Sequence, residues 1–204
     1  MFIDLDYNKE ILKPKLYIAK PDKQIIGSLK TVYNINQTIK LGKINDLSFD
    51  IPYDLEGERN HEIDKIKYRY LVKFILGDYE EWYRIETPNL FSDDFDFKTI
   101  NCFSLGYELN DKNIRNYNVT SYNAYTVLLE LLENTNWSIG YINPEFNNTY
   151  RSFEFSSTNK LDALYQIAST FGGVLIFDTI NRKINLYKEN EIGQNKGFKI
   201  NPGK

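Results

Sequence analysis

His61 is the only histidine of the 204-residue chain, and it lies in a charged stretch, Asn60–Lys65. The zinc-protease motif requires a second histidine one helical turn later, where this chain has Lys65. A serine triad or a cysteine–histidine pair also requires a histidine as base, and neither Cys102 nor any serine lies in a nucleophile motif. The sequence therefore predicts no catalytic residue, no metal ligand and no cofactor-binding residue.

Cys102 and a group of carboxylates are the next candidates for chemistry. Cys102 lies within a strand pattern, which favours a small buried side chain over a nucleophile, and a single cysteine excludes a disulfide within the chain. Asp93, Asp94 and Asp96 precede a strand, but a calcium loop needs more oxygen ligands at ordered spacing and usually a glycine. We expect a solvated turn there. A glycosidase pair, whose carboxylates need no proximity in sequence, stays open, with Glu81 and Asp94 as the residues to test.

Glycines and aromatic residues are better explained by structure than by ligand binding. Gly172–Gly173 follows a predicted helix, whereas phosphate-binding loops precede one. A helix stop with a left-handed backbone is the better interpretation. Trp82 alternates within a strand and Trp137 follows a helix, so we expect both in the core. The 16 tyrosines leave sugar or protein binding open, since the sequence does not say which are exposed.

Composition excludes several classes of protein. The net charge is −3 and the isoelectric point about 5.4, whereas nucleic-acid readers carry a basic stripe or a high isoelectric point. The longest apolar runs, such as Val127–Leu132, contain a charge and are far shorter than the roughly 18 residues of a membrane span. The acidic N-terminal stretch lacks the apolar segment of a signal peptide. The length favours one or two domains.

The first half of the chain predicts an antiparallel, barrel-like β domain over residues 1–108. Lys15–Ala19 and Gln24–Leu29 flank a Pro–Asp turn, which indicates a hairpin. A second hairpin joins Gln37–Gly42 to Asp46–Tyr53. A third joins Lys67–Leu76 to Glu81–Glu86 through Gly77–Asp78, and the loop Ser92–Asp94 leads to a further strand, Asp96–Leu105. Turn signals at such short intervals favour a barrel or a sandwich.

The second half changes character and predicts a small α+β domain over residues 109–192. A helix capped by Ser121 and running to Glu133 has apolar residues at helical spacing. A strand over Tyr150–Phe155 precedes a second helix, capped by Ser157 or Thr158 and ended by Gly172–Gly173. The apolar stripe of this helix is Leu161, Leu164, Ile167, Ala168 and Phe171. The hairpin Val174–Lys188 closes the domain. Residues 193–204 are predicted to be a linker or the start of a further portion of a longer protein.

Six segments in this order resemble a known family of phage proteins. The segments are LYIAKPDKQIIGSL (16–29), INDLSFDIP (44–52), EEWYRIETP (80–88), NCFSLGYELNDKNI (101–114), LLENTNWSIG (131–140) and LDALYQIASTFGGVLIFDTINRKINLYK (161–188). They are similar to the N-terminal hub region of the tail-associated, or prophage endopeptidase tail, proteins of long-tailed phages that infect Gram-positive bacteria. The resemblance covers nearly the whole chain, from about Leu16 to Lys199. It departs from the family pattern at Asn134, where a glycine is commoner.

The resemblance implies an α+β fold like that of contractile-tail baseplate hubs: a barrel-like tube domain followed by a small α+β domain. It implies a structural, non-enzymatic subunit of the virion tail tip or baseplate, made in the bacterial cytoplasm without a signal peptide. Three copies of the full-length protein are expected to form a ring that continues the tail tube. The early strands, around Leu16–Leu29 and Tyr68–Leu76, are expected to supply its contacts, because strand edges carry unpaired backbone groups. The implied partners are the distal tail protein, the tape-measure protein, DNA that passes through the lumen without sequence recognition, and the host wall through other parts.

Two other functions remain open at this stage. A peptidoglycan-cleaving hydrolase would use carboxylates, since the chain has one histidine and no nucleophile motif or metal spacing. A carbohydrate-binding module would use exposed tyrosines or tryptophans. The structural subunit is the leading hypothesis, and it carries no cofactor.

Overall fold

The structure is a computed structural model that describes residues 12–86 and 96–192. The predictions for the loop Ser92–Asp94 and for residues 193–204 lie outside the described residues. Contacts between Cα atoms group most residues up to Glu108 into a first compact unit. Most residues from Leu109 onward form the second unit. The chain is mostly β, and its α-helices lie in the second unit.

One sheet of seven antiparallel strands makes up the first unit. Its order is β2-β1-β7-β8-β9-β4-β3, and a two-stranded ribbon of β5 and β6 accompanies it. The strands are β1 (Lys15–Ala19), β2 (Ile25–Leu29), β3 (Tyr33–Thr38), β4 (Asp46–Pro52), β5 (Asp54–Leu55), β6 (Glu58–Arg59), β7 (Leu71–Leu76), β8 (Tyr79–Ile85) and β9 (Phe97–Ser104).

The three predicted strand pairings are confirmed, because β1 pairs with β2, β3 with β4 and β7 with β8. The first strand of the second hairpin was predicted too late, at Gln37–Gly42, since β3 covers Tyr33–Thr38 and the turn follows it. Local chemistry explains the turns: the Asp22 carboxylate accepts a hydrogen bond from the Gln24 amide at 3.0 Å. Gly77 takes a left-handed backbone (φ 60°) between β7 and β8, which glycine adopts without steric cost. The predicted strand Lys67–Leu76 is too long, since β7 begins only at Leu71.

The predicted barrel is wrong, because no sheet of the described residues closes on itself. β2 and β3 lie at opposite edges of the sheet without pairing. They are nevertheless consecutive in the chain, and the connection from Leu29 to Tyr33 spans at most about 14 Å. A flat sheet of seven strands would hold its edges roughly 29 Å apart. The sheet must therefore curl until its two edges meet at one corner.

The curled sheet encloses the core of the first unit. Apolar residues alternate along the strands, so one face of each strand points inward. Ile18, Phe49, Val72 and Ile100 are fully buried there, and Cys102 lies among them. Partly buried residues of the edge strands, Ile26 of β2 and Ile35 of β3, pack against this core from both edges.

The second unit combines a ribbon, a small sheet and three helices. β10 pairs antiparallel with β12, and β11 lies parallel to β14, which separates it from β13. The elements are β10 (Asn113–Tyr122), α1 (Ala124–Leu132), β11 (Ser138–Ile142), α2 (Pro144–Asn147), β12 (Arg151–Asn159), α3 (Lys160–Phe171), β13 (Gly173–Asp178) and β14 (Lys183–Lys188). Short 3₁₀ turns cover Ile63–Lys65, Leu105–Asp111 and Glu189–Glu191.

Asparagines cap the two long helices, and the predicted serine and threonine caps are wrong. The Asn123 side chain accepts from the Thr126 amide at 2.9 Å, and the Asn159 side chain accepts from the Asp162 amide at 2.8 Å. Ser121 instead lies in β10, because this strand runs to the residue before the cap. Ser157 and Thr158 lie in β12 for the same reason.

The helices bury the apolar faces that their spacing predicts. α1 buries Val127, Leu128 and Leu131. α3 buries the predicted stripe, of which Leu164 and Ile167 are completely inaccessible. Gly172 ends α3 in a left-handed conformation (φ 68°), which confirms the predicted helix stop.

Candidate functional site

His61 lies in solvent, with 85% of its side chain exposed. Its Nδ1 is 3.6 Å from the Asp64 carboxylate, which also accepts a hydrogen bond from Arg59 at 2.5 Å. Among the described residues, no group of three histidine, cysteine or acidic side chains is placed to hold a metal ion. No helix in this part of the chain is long and apolar enough to cross a membrane.

Cys102 is buried in β9 with 1% exposure, as its strand pattern predicts. Burial, with a smaller contribution from the nearby Glu86 charge, raises the pKa of its thiol above the ordinary value. A raised pKa disfavours the nucleophilic thiolate. Asp93 and Asp94 lie outside the described residues, and Asp96 is exposed. Both tryptophans are buried, Trp82 in the first unit and Trp137 in the second, as expected.

Glu81 is the predicted candidate carboxylate that the structure places in an unusual environment. It lies on β8 with 5% exposure and accepts hydrogen bonds from the hydroxyls of Tyr79 and Tyr83, the latter at 2.6 Å. Asn45 Nδ2 donates to its two oxygens at 3.2 and 3.1 Å. Burial, followed by the Glu81 charge, raises the pKa of both tyrosines. The tyrosines therefore stay protonated and act as donors to the carboxylate.

Gln37 extends this cluster to the edge of the sheet. Its Nε2 donates to the Tyr83 hydroxyl at 2.7 Å and to the Tyr79 hydroxyl at 3.2 Å. Sequence reasoning did not find these partners. The spacing of Tyr79, Glu81 and Tyr83 at alternate strand positions was the available signal, since it places three polar side chains on one face.

The first sheet has two edge strands, β2 (Ile25–Leu29) and β3 (Tyr33–Thr38). Within residues 12–86 and 96–192 each has one neighbouring strand, so each keeps a row of backbone groups that no described strand pairs with. Proteins usually protect such edges with proline or charged side chains, and neither strand contains any. Ile25 and Tyr33 are exposed by 51% and 39%. The structure thus offers two open edges suited to strand pairing.

One of the strands that we expected to supply assembly contacts lies inside the sheet. The predicted region Tyr68–Leu76 corresponds to β7, which pairs with β1 on one side and β8 on the other. Its backbone groups are already used in these two ladders. Within Leu16–Leu29 only β2 is an edge strand, because β1 is also internal.

A buried corner joins the two edges. The Glu62 carboxylate accepts from the backbone amides of Lys30 and Thr31, at 2.9 and 3.2 Å, and from the Thr31 hydroxyl at 2.9 Å. Asn60, with 2% exposure, donates to the Thr31 hydroxyl and to the Pro52 carbonyl, each at 2.9 Å. This arrangement fixes the connection that starts β3.

The fold is similar to that of phage-tail and baseplate proteins. Prophage tail protein gp18 from Listeria monocytogenes EGD-e superposes with a TM-score of 0.63 over 87% of this chain and 51% of that protein, at 16% identity. The E. coli c3393 protein superposes with a TM-score of 0.52 over 78% of this chain and 48% of that protein, at 11% identity. It is described as a type VI secretion component similar to the T4 tail proteins gp27 and gp5.

Sequence comparison finds two matching family models and one similar protein. Residues 18–102 match the YOMG N-terminal domain, and residues 111–186 match the prophage endopeptidase tail domain. The chain is 31% identical over 191 residues to the SPbeta prophage-derived uncharacterized protein YomG of Bacillus subtilis (strain 168). That alignment covers 92% of this chain but only 22% of YomG. The resemblance to the prophage tail family predicted from the sequence is confirmed.

Proposed function

We propose that the chain is the N-terminal part of a structural subunit of a phage or prophage tail tip, in which copies join through the open edges of the first sheet. The observation that carries this proposal is the pair of edge strands without proline or charge, β2 and β3, in a chain that matches the YOMG N-terminal domain and then the prophage endopeptidase tail domain. Residues 1–108 and 109–192 act as the two domains of this part, and residues 193–204 lead to a further portion of the subunit.

A ring requires that each subunit present two different surfaces which meet after a fixed rotation. β2 of one copy and β3 of the next satisfy this requirement, because they are different strands at opposite edges of one sheet. Three copies of the full-length protein form the ring, and it continues the tail tube at the tail tip. The distal tail protein, the tape-measure protein and DNA passing through the lumen are its partners, and other parts of the subunit contact the host wall.

The test is the mass of the full-length protein by light scattering over a range of concentrations. A trimer is expected, whereas a strictly monomeric or dimeric mass at high concentration would refute the ring. The chain ending at Lys204 should associate only at high concentration. Ile25→Lys places a charge on the β2 edge and should lower association. Asn118→Lys, at an exposed position of β10 in the second unit, is the matched control and should leave it unchanged.

A second candidate, wall hydrolysis, is favoured only by the word endopeptidase in the name of the matched domain. We propose that this chain is not an enzyme, and the burial of Glu81 beneath three hydrogen-bond donors supports this. Purified sacculi incubated with the chain should release no wall fragments. A loss of turbidity that Glu81→Gln or Asp94→Asn abolishes would establish hydrolysis instead.

A further inference from the structure

β3 is an edge strand of the first sheet, and among the described residues its neighbour is β4. Its ladder is irregular between Tyr33 and Asn36 and regular from Asn36 to Thr38. The corner around Thr31 fixes the chain just before the strand begins. The far end of β3, at Gln37 and Thr38, pairs with Leu47 and Asp46 of β4. This end also takes part in a second interaction that does not involve β4.

The Gln37 side chain supplies that interaction across the inside of the sheet. β4 and β9 separate β3 from β8 in the strand order, yet Gln37 donates to hydroxyls of Tyr83 and Tyr79 on β8. Asn45, at the other end of the β3–β4 hairpin loop, donates to Glu81 on the same strand. Its Oδ1 also accepts from the Lys40 amide at 2.8 Å. The hairpin is therefore fastened to β8 at two points.

Glu81 determines the direction of this hydrogen-bonded network. An ionised carboxylate only accepts hydrogen bonds, so both tyrosine hydroxyls must donate to it and can accept from Gln37. Its partners in the described residues are the neutral side chains of Tyr79, Tyr83 and Asn45. Burying a charge without a cation is unfavourable unless hydrogen bonds satisfy it. An apolar residue would fill this position without that cost, which points to a role in positioning.

We propose that Gln37, Tyr83 and Glu81 form a clamp that holds the outer end of β3 in the position from which its free edge pairs with a neighbouring copy. This inference rests on the proposed function, since it concerns the same edge. A strand ordered in advance loses less conformational entropy on pairing, so the clamp strengthens association without touching the partner. Gln37 is thus a positioning residue of the interface.

Hydrogen exchange of the separate backbone segments tests the clamp in the chain on its own, at a concentration where it is monomeric. Gln37→Leu removes the donor, and Tyr83→Phe removes only the hydroxyl that links Gln37 to Glu81. Each should raise the exchange of those amides at 35–38 that pair with β4 roughly tenfold, which is the effect of losing hydrogen bonds of ordinary strength. Exchange in β1 and β7 should stay unchanged. Asn36→Leu, the same kind of change at the adjacent exposed position, should have no such effect.

An unchanged exchange rate at 35–38, or an equal rise throughout the first sheet, would overturn the clamp. Association of the full-length protein then provides a separate measurement, in which Gln37→Leu and Tyr83→Phe should weaken self-association about tenfold and Asn36→Leu should not. If the wild-type protein never associates, the proposed function fails, and the exchange data still decide on the clamp. If it associates and the clamp variants associate equally well, the positioning role is wrong while the proposed function stands.

Discussion

The first unit buries its apolar side chains inside one curled sheet, whereas the second packs α1 and α3 against a ribbon and a small sheet. Their buried polar residues differ accordingly. Asp50, Glu81, Arg84 and Ser104 are buried in the sheet of the first unit, and Asn60 and Thr179 are buried in its connecting segments. Asn143 is the buried polar residue of the second unit among those described. In a curled sheet, side chains on the inner face hold the edge strands in position. Polar side chains are suited to this because their hydrogen bonds are directional. Helices satisfy their polar ends at the surface through caps.

This comparison is testable because each unit contains one tryptophan, Trp82 in the first and Trp137 in the second. Trp137→Phe leaves a fluorescence reporter for the first unit, and Trp82→Phe leaves one for the second. Urea unfolding of these two backgrounds gives the free energy of unfolding that each tryptophan reports.

The largest effect is expected from a cavity in the second unit. Leu164→Ala truncates a completely buried side chain of α3 and should lower the free energy of unfolding by about 2–5 kcal/mol. Gln166→Ala, at an exposed position of the same helix, is the control and should cost far less. Equal effects of the two substitutions on the Trp137 signal would show that the predicted face is not the packed one.

A polar anchor of the first unit should give the next largest effect. Asn60→Ala leaves the buried Pro52 carbonyl and the Thr31 hydroxyl without their donor, and the expected cost is about 1–3 kcal/mol in the Trp82 signal. Asn118→Ala, at an exposed site on β10, serves as the comparison. A decrease in the free energy of unfolding smaller than the experimental error would mean that the Asn60 side chain does not stabilise the corner.

Capping should contribute less. Asn123→Ala removes the side chain that accepts from the Thr126 amide, and about 1 kcal/mol of stability should be lost. Ser121→Ala tests the cap predicted from sequence and should have a much smaller effect, because Ser121 lies in β10. The Trp137 fluorescence measures both effects. A larger loss of stability from Ser121→Ala than from Asn123→Ala would support Ser121 as the cap.

Alkaline pH should lower the stability of the first unit, with no effect at neutral pH. Folding raises the pKa of Tyr83 above its ordinary 10.0, first through burial and then through Glu81. Only the unfolded chain then releases this proton just above pH 10, so stability is intact below pH 10 and falls as the pH rises further. Tyr83→Phe should flatten this decline in the Trp82 signal, whereas Tyr53→Phe, at the surface, should not. An equal slope in both variants would contradict the assignment.

Features set by neighbouring residues could be predicted from the sequence. The three hairpins follow from turn chemistry, and the buried faces of α1 and α3 follow from apolar spacing. β10 escaped prediction because Asn113–Tyr122 is rich in asparagine, serine and threonine, and its partner β12 begins 29 residues after it ends. The helix caps were misplaced because the strands before them were missed or predicted too short. β10 runs to Tyr122, and β12, predicted over Tyr150–Phe155, runs to Asn159.

Features that join distant residues could not be predicted. Nothing near Gln37 in sequence indicates that it meets Tyr83, 46 positions later. The sheet order likewise depends on which hairpins lie side by side, and hairpin signals carry no such information. Closure into a barrel was therefore inferred from turn frequency alone, and the open edges became visible only in three dimensions.

The short connection between β2 and β3 also affects how the chain folds. Bringing two strands together costs entropy that grows with the length of chain between them, and here the opposite edges of a seven-stranded sheet are separated by only three residues. Their proximity is set before any tertiary contact forms. A circular permutant with its termini between Lys30 and Val32 would lose this tether, and its sheet would fold more slowly and open more readily at the cut corner. The short connection thus keeps the two edge strands close together, as strand pairing does in a closed barrel.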